Sequence, residues 1–104
     1  MLVLTTETVA GSEVSVSLGL VRGSTVRAKH IGSDIVASLR NIVGGEVKEY
    51  ASLLAGAREQ AMDRMIAEAT ALGADAIVAV RFQTSAIAQS ASEVMCYGTA
   101  VKLK

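Results

Sequence analysis

The sequence predicts an α+β domain in which a small antiparallel sheet packs on one long helix that is preceded by a shorter helix, in the order β-β-α-α-β-β. Three observations support this prediction. Alternating apolar residues near both ends of the chain are typical of strands, and apolar residues at helical spacing fill its middle. The length of 104 residues suits one domain with one core. We therefore expect residues 1–104 to form a single domain.

The first quarter of the chain contains the first two predicted strands. Residues 13–20 alternate between polar and apolar side chains, which predicts a strand with one apolar side. That side consists of Val14, Val16, Leu18 and Leu20. Residues 2–6 are expected to pair with this strand as an edge strand, joined to it through a turn at 10–12. We expect Gly23 to interrupt the long strand with a bulge or bend.

The middle of the chain predicts two helices separated by a pair of glycines. Apolar residues at steps of three and four predict a short helix that ends at Gly44, and a longer stripe predicts a second helix that ends at Gly73. Members of the first stripe are Ile31, Ile35, Leu39 and Ile42. We interpret Gly44–Gly45 as a structural elbow, in which Gly44 ends one helix and Gly45 begins the next. The alternative is an anion site at the unpaired N–H groups that follow Gly45.

The last third of the chain predicts two further strands. Residues 76–82 are apolar on both sides, with Ile77 and Ala79 alternating with Val78, Val80 and Phe82, which indicates a strand that is covered on each face. Residues 84–93 are expected to form a long hairpin tip. In the final strand, residues 94–103, the alternation separates Val94, Cys96, Gly98 and Ala100 from Met95, Tyr97, Thr99, Val101 and Leu103.

Charge and cysteine content exclude several classes of function. Ten basic residues balance ten acidic ones, so no net field attracts nucleic acid or an anionic membrane. No apolar segment is long enough for export or for crossing a membrane. Cys96 is the only cysteine, which excludes an intrachain disulfide. These observations predict a cytoplasmic protein with no nucleic-acid or membrane partner.

Cys96 and His30 are the candidate metal ligands, because thiolate and imidazole are donors that soft metals prefer. They are the only cysteine and the only histidine, whereas a closed zinc site needs four ligands. Metal binding would therefore require several subunits, each contributing one thiolate. The alternative readings are a buried structural thiol at Cys96 and a solvated basic turn around His30, which lies beside Arg27 and Lys29.

The sequence gives little support to catalysis. One histidine would have to serve every Ser–His or Cys–His scheme, and no such arrangement can be argued. Glu59 and Asp63 lie one turn apart, but on the polar face of the long helix, where solvated carboxylates are the rule. We therefore predict that the protein is not an enzyme.

An excess of apolar surface predicts self-association. A sheet covered by one helical layer needs one apolar face, yet the strands at 76–82 and 94–103 are apolar on both. A monomer would leave a contiguous apolar patch, which soluble monomers rarely tolerate. We expect a homo-oligomer whose subunit contact lies at or next to Ile77, Ile87 and Cys96.

Three stretches of the sequence resemble the YbjQ family of small bacterial and archaeal proteins, which are often labelled heavy-metal-binding domains. The stretches are HIGSDIVASLRNIVGGEVKEY, AREQAMDRMIAEATALGADAIVAVRF and YGTAVKL. The similarity covers residues 21–104. It implies a fold like that of the dodecin subunit and a ring-shaped homo-oligomer, typically a pentamer.

Together these observations predict a non-enzymatic homo-oligomeric module that binds a small ligand or a metal ion at an intersubunit site. The family label suggests a soft or heavy metal as the cofactor. Two alternatives remain: a structural or protein-interaction ring with no ligand, and a small enzyme whose site lies between subunits.

Overall fold

The computed structural model describes residues 1–28, 45–88 and 91–104. These residues form four strands and one helix, which confirms the α+β class. The shorter helix predicted before Gly44 lies outside the described residues, so the full β-β-α-α-β-β order and the likeness to a dodecin subunit stay predictions. The elements are β1 (Leu2–Val3), β2 (Val14–Ala28), α1 (Gly45–Ala71), β3 (Ala76–Ala88) and β4 (Ala91–Leu103).

The sheet has the strand order β1-β3-β4-β2, in which β4 pairs antiparallel with both β3 and β2. The prediction that residues 2–6 pair with β2 is wrong, because β1 pairs parallel with β3. Hydrogen bonds continue this pairing beyond β1: the Leu4 N–H donates to the Ile77 carbonyl at 2.8 Å, and the Val80 N–H donates to the Leu4 carbonyl at 3.0 Å. The chain therefore begins at the opposite edge of the sheet from β2.

Strand β2 is longer than predicted and passes through Gly23 without interruption. Its irregularities lie earlier, between Val14 and Val16 and between Ser17 and Gly19, where Gly19 has a φ of +115°. The prediction of a bend at Gly23 is therefore wrong. Each irregularity shifts the alternation of side chains between the two faces of the sheet. The apolar residues Val14, Val16, Leu18 and Leu20 therefore do not all lie on one side.

Helix α1 lies on one face of the sheet, where it packs on β2 and β4 and touches β3 only slightly. Its buried stripe consists of Ala57, Ala61, Met65 and Ala69. Three of these four side chains are methyl groups, so the helix backbone lies close to the strands. The helix ends near Gly73, whose φ of +77° matches the predicted left-handed cap.

Strands β3 and β4 form a longer hairpin than predicted. Their pairing continues as far as Ala88 and Ala91, so the hairpin is confirmed, but its tip is shorter than the predicted residues 84–93. The predicted alternation within residues 76–82 is wrong. Ala79 has a φ of +54° in a register shift between Val78 and Arg81. This extra residue places Val80 in the same core cluster as Ile77.

Two clusters of buried residues lie on opposite faces of the sheet. The larger one, between the sheet and α1, includes Val21, Ile77, Cys96 and Met65. On the other face the chain that follows β1 supplies Val9, which packs with Ala76, Val78 and Val101. This second cluster covers only the end of the sheet at which β3 begins and β4 ends.

Candidate interaction surface

The face of the sheet opposite α1 is only partly covered by the other residues that the structure describes. Directly paired residues of neighbouring strands lie on the same face of a sheet. The register of β2, β3 and β4 therefore identifies the residues of this face that lie outside the cluster around Val9. We call this region the open face. It includes Leu20, Arg22, Ser24, Val26, Arg81, Gln83, Glu93, Met95 and Tyr97.

The open face combines apolar side chains with arginines. Leu20 and Val26 on β2 are 62% and 55% exposed, whereas Met95 and Tyr97 on the central strand are half-buried. Tyr97 is paired with Arg22 on one side and with Arg81 on the other. The Arg81 Nη1 donates to the carbonyl oxygens of Thr5, at 2.9 Å, and of Val80, at 2.8 Å, which hold this guanidinium in place. A tyrosine ring between two arginines, with a methionine on the same strand, is typical of the centre of a protein interface.

A groove of about 520 Å³ opens at the edge of the open face, along β2. Both signs of charge line it, since it contains two arginines and two glutamates. The Arg64 Nη1 donates to the Ser24 carbonyl oxygen at 2.6 Å, which ties α1 to the edge strand beside the groove. The groove is lined by Arg22, Gly23, Ser24, Arg64, Glu68, Glu93 and Met95.

The outer edge of β2 is a second feature of this side of the subunit. In the ranges that the structure describes, β2 pairs only with β4, although it is 15 residues long. Its outward N–H and C=O groups can therefore accept a further strand. The open face, the groove and this edge are contiguous.

Cys96 lies in the core between the sheet and α1, and its side chain is fully enclosed. Burial raises the pKa of its thiol above the ordinary value, although backbone hydrogen bonds involving Gly23 and Cys96 act in the opposite direction. The burial of Cys96 agrees with its interpretation as a buried structural thiol, and its role stays a prediction. As a metal ligand, Cys96 would have to be uncovered and deprotonated first.

The described residues of one subunit do not fit a heavy-metal site. Among residues 1–28, 45–88 and 91–104, no three His, Cys, Asp or Glu side chains form a group that could hold a metal ion. The other predicted ligand, His30, lies outside these ranges. A soft metal needs thiolate or imidazole donors, and the one thiol is enclosed.

The structure separates the three residues predicted for a subunit contact. Ile77 and Cys96 are fully enclosed within the subunit, so neither offers accessible surface to a second copy. Both residues lie on the face of the sheet that α1 covers. A subunit contact at or next to these residues stays a prediction. Ile87, near the end of β3, is 55% exposed and remains available. Of the predicted elbow, Gly45 is the first residue of α1, and Gly44 lies outside the described residues.

The sequence predicts an uncovered apolar sheet face, but not which residues of β2 belong to it. The alternation of residues 13–20 predicts that Leu20 and Leu18 lie on the same side of the strand. In the structure Leu18 packs against the core under α1, and Leu20 does not. The signal for this difference was Gly19, which lies between them and has a backbone conformation that favours glycine. Within the described residues, no helix is long and apolar enough to cross a membrane.

The fold and this surface define a small α+β protein that has one helix-covered sheet face and one open sheet face. The chain belongs to the YbjQ family, because the family model described as "Putative heavy-metal-binding" matches residues 1–104. This match confirms the family resemblance predicted from the sequence.

Individual relatives agree with the family assignment. The chain is 59% identical to a UPF0145 protein of Halorubrum lacusprofundi over 99 residues, which cover 95% of each chain. It is 52% identical to a UPF0145 protein of Methanosarcina acetivorans, with 99% of this chain and 97% of the relative covered. A crystal structure of a DUF74-family protein of unknown function from Pediococcus pentosaceus has a TM-score of 0.69 at 15% identity. That comparison covers 100% of this chain and 98% of the other, and it supports the fold alone.

Proposed function

We propose that the protein is a non-enzymatic homo-oligomeric module of the cytoplasm. In this proposal the open face packs against further copies of the chain and a small ligand or metal ion binds between subunits. The observation that carries the proposal is the open face, where Leu20 and Val26 lie exposed beside the half-buried Met95 and Tyr97. The closed ring of five that the family resemblance implies is its specific form.

The shape of the subunit supports self-association. Its radius of gyration is 17.2 Å, whereas a compact domain of this length has a radius of about 13 Å. The principal extents of 54 × 22 × 16 Å describe a long, thin body. Such a body has much surface relative to its core, so burial of one sheet face against another copy would add substantially to its stability.

The groove along β2 is the candidate ligand site in this assembly. Its volume of about 520 Å³ is within the range of small-molecule sites, but one side of it is open to solvent. A second copy packed on the open face would close that side, because Met95 belongs to both the groove and the open face. The lining then offers Arg22 and Arg64 to an anionic group and Glu68 and Glu93 to a cationic one.

A metal ion is the less favoured of the two ligands at this position. The glutamates supply oxygen donors, which suit hard cations better than soft ones. A heavy metal would need donors from more than one subunit, since the described part of one chain contains no suitable group. The second candidate function is that of a structural ring without any ligand. In that case the arginines and glutamates of the groove would only contact neighbouring subunits.

A native mass spectrum of protein purified without added metal tests the proposal. We expect a mass several times the 10.7 kDa of the chain, five times for the predicted ring, with additional mass retained on the oligomer. The matched variants are Arg22→Met, which alters the groove, and Arg58→Met, which removes an exposed arginine of α1 that does not line the groove. Loss of the retained mass in Arg22→Met alone would support the groove as the ligand site.

Other outcomes of the same spectrum separate the alternatives. An oligomer whose mass is a simple multiple of the chain mass would favour the ring with no ligand. Retained mass that both variants keep would place the ligand elsewhere. A folded monomer would contradict the proposal.

A further inference from the structure

Two polar side-chain atoms of β2 are buried without a partner in the part of the chain that the structure describes. They are the Thr25 hydroxyl oxygen and the Arg27 Nε. Thr25 is only 4% exposed. The two residues are two positions apart in a regular stretch of β2, so their side chains lie on the same face of the sheet, which is the face that α1 covers.

The Arg27 guanidinium is held in position by the helix. Its Nη2 donates to the Gln60 Oε1 at 2.9 Å, across the interface between β2 and α1. This bond leaves the Nε–H without an acceptor, although an arginine keeps its charge at all physiological pH values. A buried N–H of a charged group without an acceptor is unfavourable, as is a buried hydroxyl without a partner. Both atoms therefore favour an acceptor that the described residues do not supply.

No carboxylate of the described residues fills this role. The ion pair found among them joins Lys104 to Glu13, at 3.0 Å, far from Arg27 in the sheet. Glu93 is one position away from Arg27 in the pairing of β2 with β4. Because it is paired with Val26, however, it lies on the open face. Arg27 as a whole is partly exposed, so solvent reaches part of its side chain, while its Nε and the Thr25 hydroxyl oxygen are enclosed.

We propose that a small oxyanion, a carboxylate or a phosphate group, binds at Arg27 and Thr25. Its oxygens accept hydrogen bonds from the Arg27 Nε–H and from the Thr25 hydroxyl, while Gln60 fixes the guanidinium. Arginine suits this task because its planar group of donors matches the geometry of both kinds of oxyanion. The site lies on the helix-covered side of β2 and is separate from the groove at Arg22 on the other face, so it does not depend on the function proposed above.

The test is a titration of the full-length protein with inorganic phosphate and, separately, with acetate. The side-chain Nε–H signals of the arginines are followed by ¹H–¹⁵N NMR, and the signal of Arg27 is assigned by its loss in Arg27→Lys. We expect the Arg27 signal to move in a saturable manner with at least one of the anions. A response to phosphate alone assigns the site to phosphoryl groups, and a response to acetate assigns it to carboxylates. The signal of Arg58, exposed on α1, should stay in place.

Variants make the result specific to this position. Thr25→Val should weaken anion binding about tenfold, the size expected for loss of one hydrogen bond to a charged group. Arg58→Met serves as the control, because Arg58 is exposed on α1 and lines neither this site nor the groove, and it should bind the anion like the parent protein. If Arg27→Lys fails to fold, the Thr25→Val comparison still decides the question.

Three results would overturn the inference. The Arg27 signal could fail to respond to either anion, which would show that the Nε–H is already satisfied or inaccessible. It could move no more than that of Arg58, which would indicate non-specific binding. Thr25→Val and Arg58→Met could also weaken binding equally, which would exclude a specific site at Thr25.

Discussion

Gly23 of β2 lies directly against the backbone of Ala61 in α1. A Cβ atom on Gly23 would overlap the Ala61 carbonyl oxygen and would lie 2.6 Å from the Met65 backbone nitrogen. Both obstacles belong to the backbone, so neither can move out of the way by a change of rotamer. The absence of a side chain at Gly23 therefore determines how closely the helix approaches the sheet, and with it the packing over Cys96.

The first prediction concerns this contact. Gly23→Ala should lower the free energy of unfolding by about 3 kcal/mol, because the added methyl group forces the helix away from β2. Gly56→Ala is the matched control. Gly56 lies within α1 with open space around its Cα, so a methyl group there should raise the free energy of unfolding by about 0.5–1 kcal/mol through helix propensity.

Urea denaturation of the two variants and the parent protein measures both effects. Small losses of similar size in both variants would show that the helix does not rest on Gly23. A gain in Gly23→Ala would contradict the packing described here.

The second prediction concerns the pH dependence of stability at Cys96. Burial holds the pKa of the folded-state thiol above its ordinary value of 9.0. The folded state therefore keeps the thiol proton more tightly than the unfolded state, so this contribution to stability is complete below about pH 9. It is lost as the pH rises through the folded-state pKa.

Cys96→Val, which conserves most of the volume, removes this titration. The free energy of unfolding of the parent protein should fall more steeply above pH 9 than that of the variant, as measured by urea denaturation at a series of pH values. The native thiol should also react slowly with a thiol reagent at pH 7.5 and rapidly in urea. Rapid native labelling would show that Cys96 is accessible, and the same pH dependence in both proteins would show that folding does not raise the pKa of its thiol.

The sequence predicted those parts of the fold that local patterns specify. The long helix from Gly45 and its end near Gly73 follow from periodicity and from glycine at the cap. The positions of β2, β3 and β4 were predicted in outline, and so were the two faces of β4, where Cys96 is enclosed and Tyr97 is half-buried.

Sheet pairing and strand irregularities could not be predicted in the same way. The parallel pairing of Leu2 with Ala76 joins distant parts of the chain and leaves no local pattern. The shift at Ala79 occurs in a run that is apolar on both sides, so the alternation of residues 76–82 contains no information about register. The same difficulty affected the candidate site, because the register shift at Gly19 decides that Leu20 lies on the open face.

The third prediction concerns the open face as the contact between copies. Val26→Glu places a charge on an apolar residue of that face, and a buried unpaired charge strongly opposes association. Ala67→Glu is the matched control, since Ala67 is exposed on α1 and is not part of the open face. We expect Val26→Glu to reduce the assembly to smaller species, and Ala67→Glu to leave it unchanged. Circular dichroism should show that both variants keep the parent fold.

Static light scattering at micromolar concentration tests the central claim most directly, with the parent protein and these two variants measured side by side. We predict that the parent protein and Ala67→Glu have a molar mass several times the 10.7 kDa of one chain, and that Val26→Glu has a lower mass. A parent protein that is folded and has a molar mass of 10.7 kDa would contradict the account.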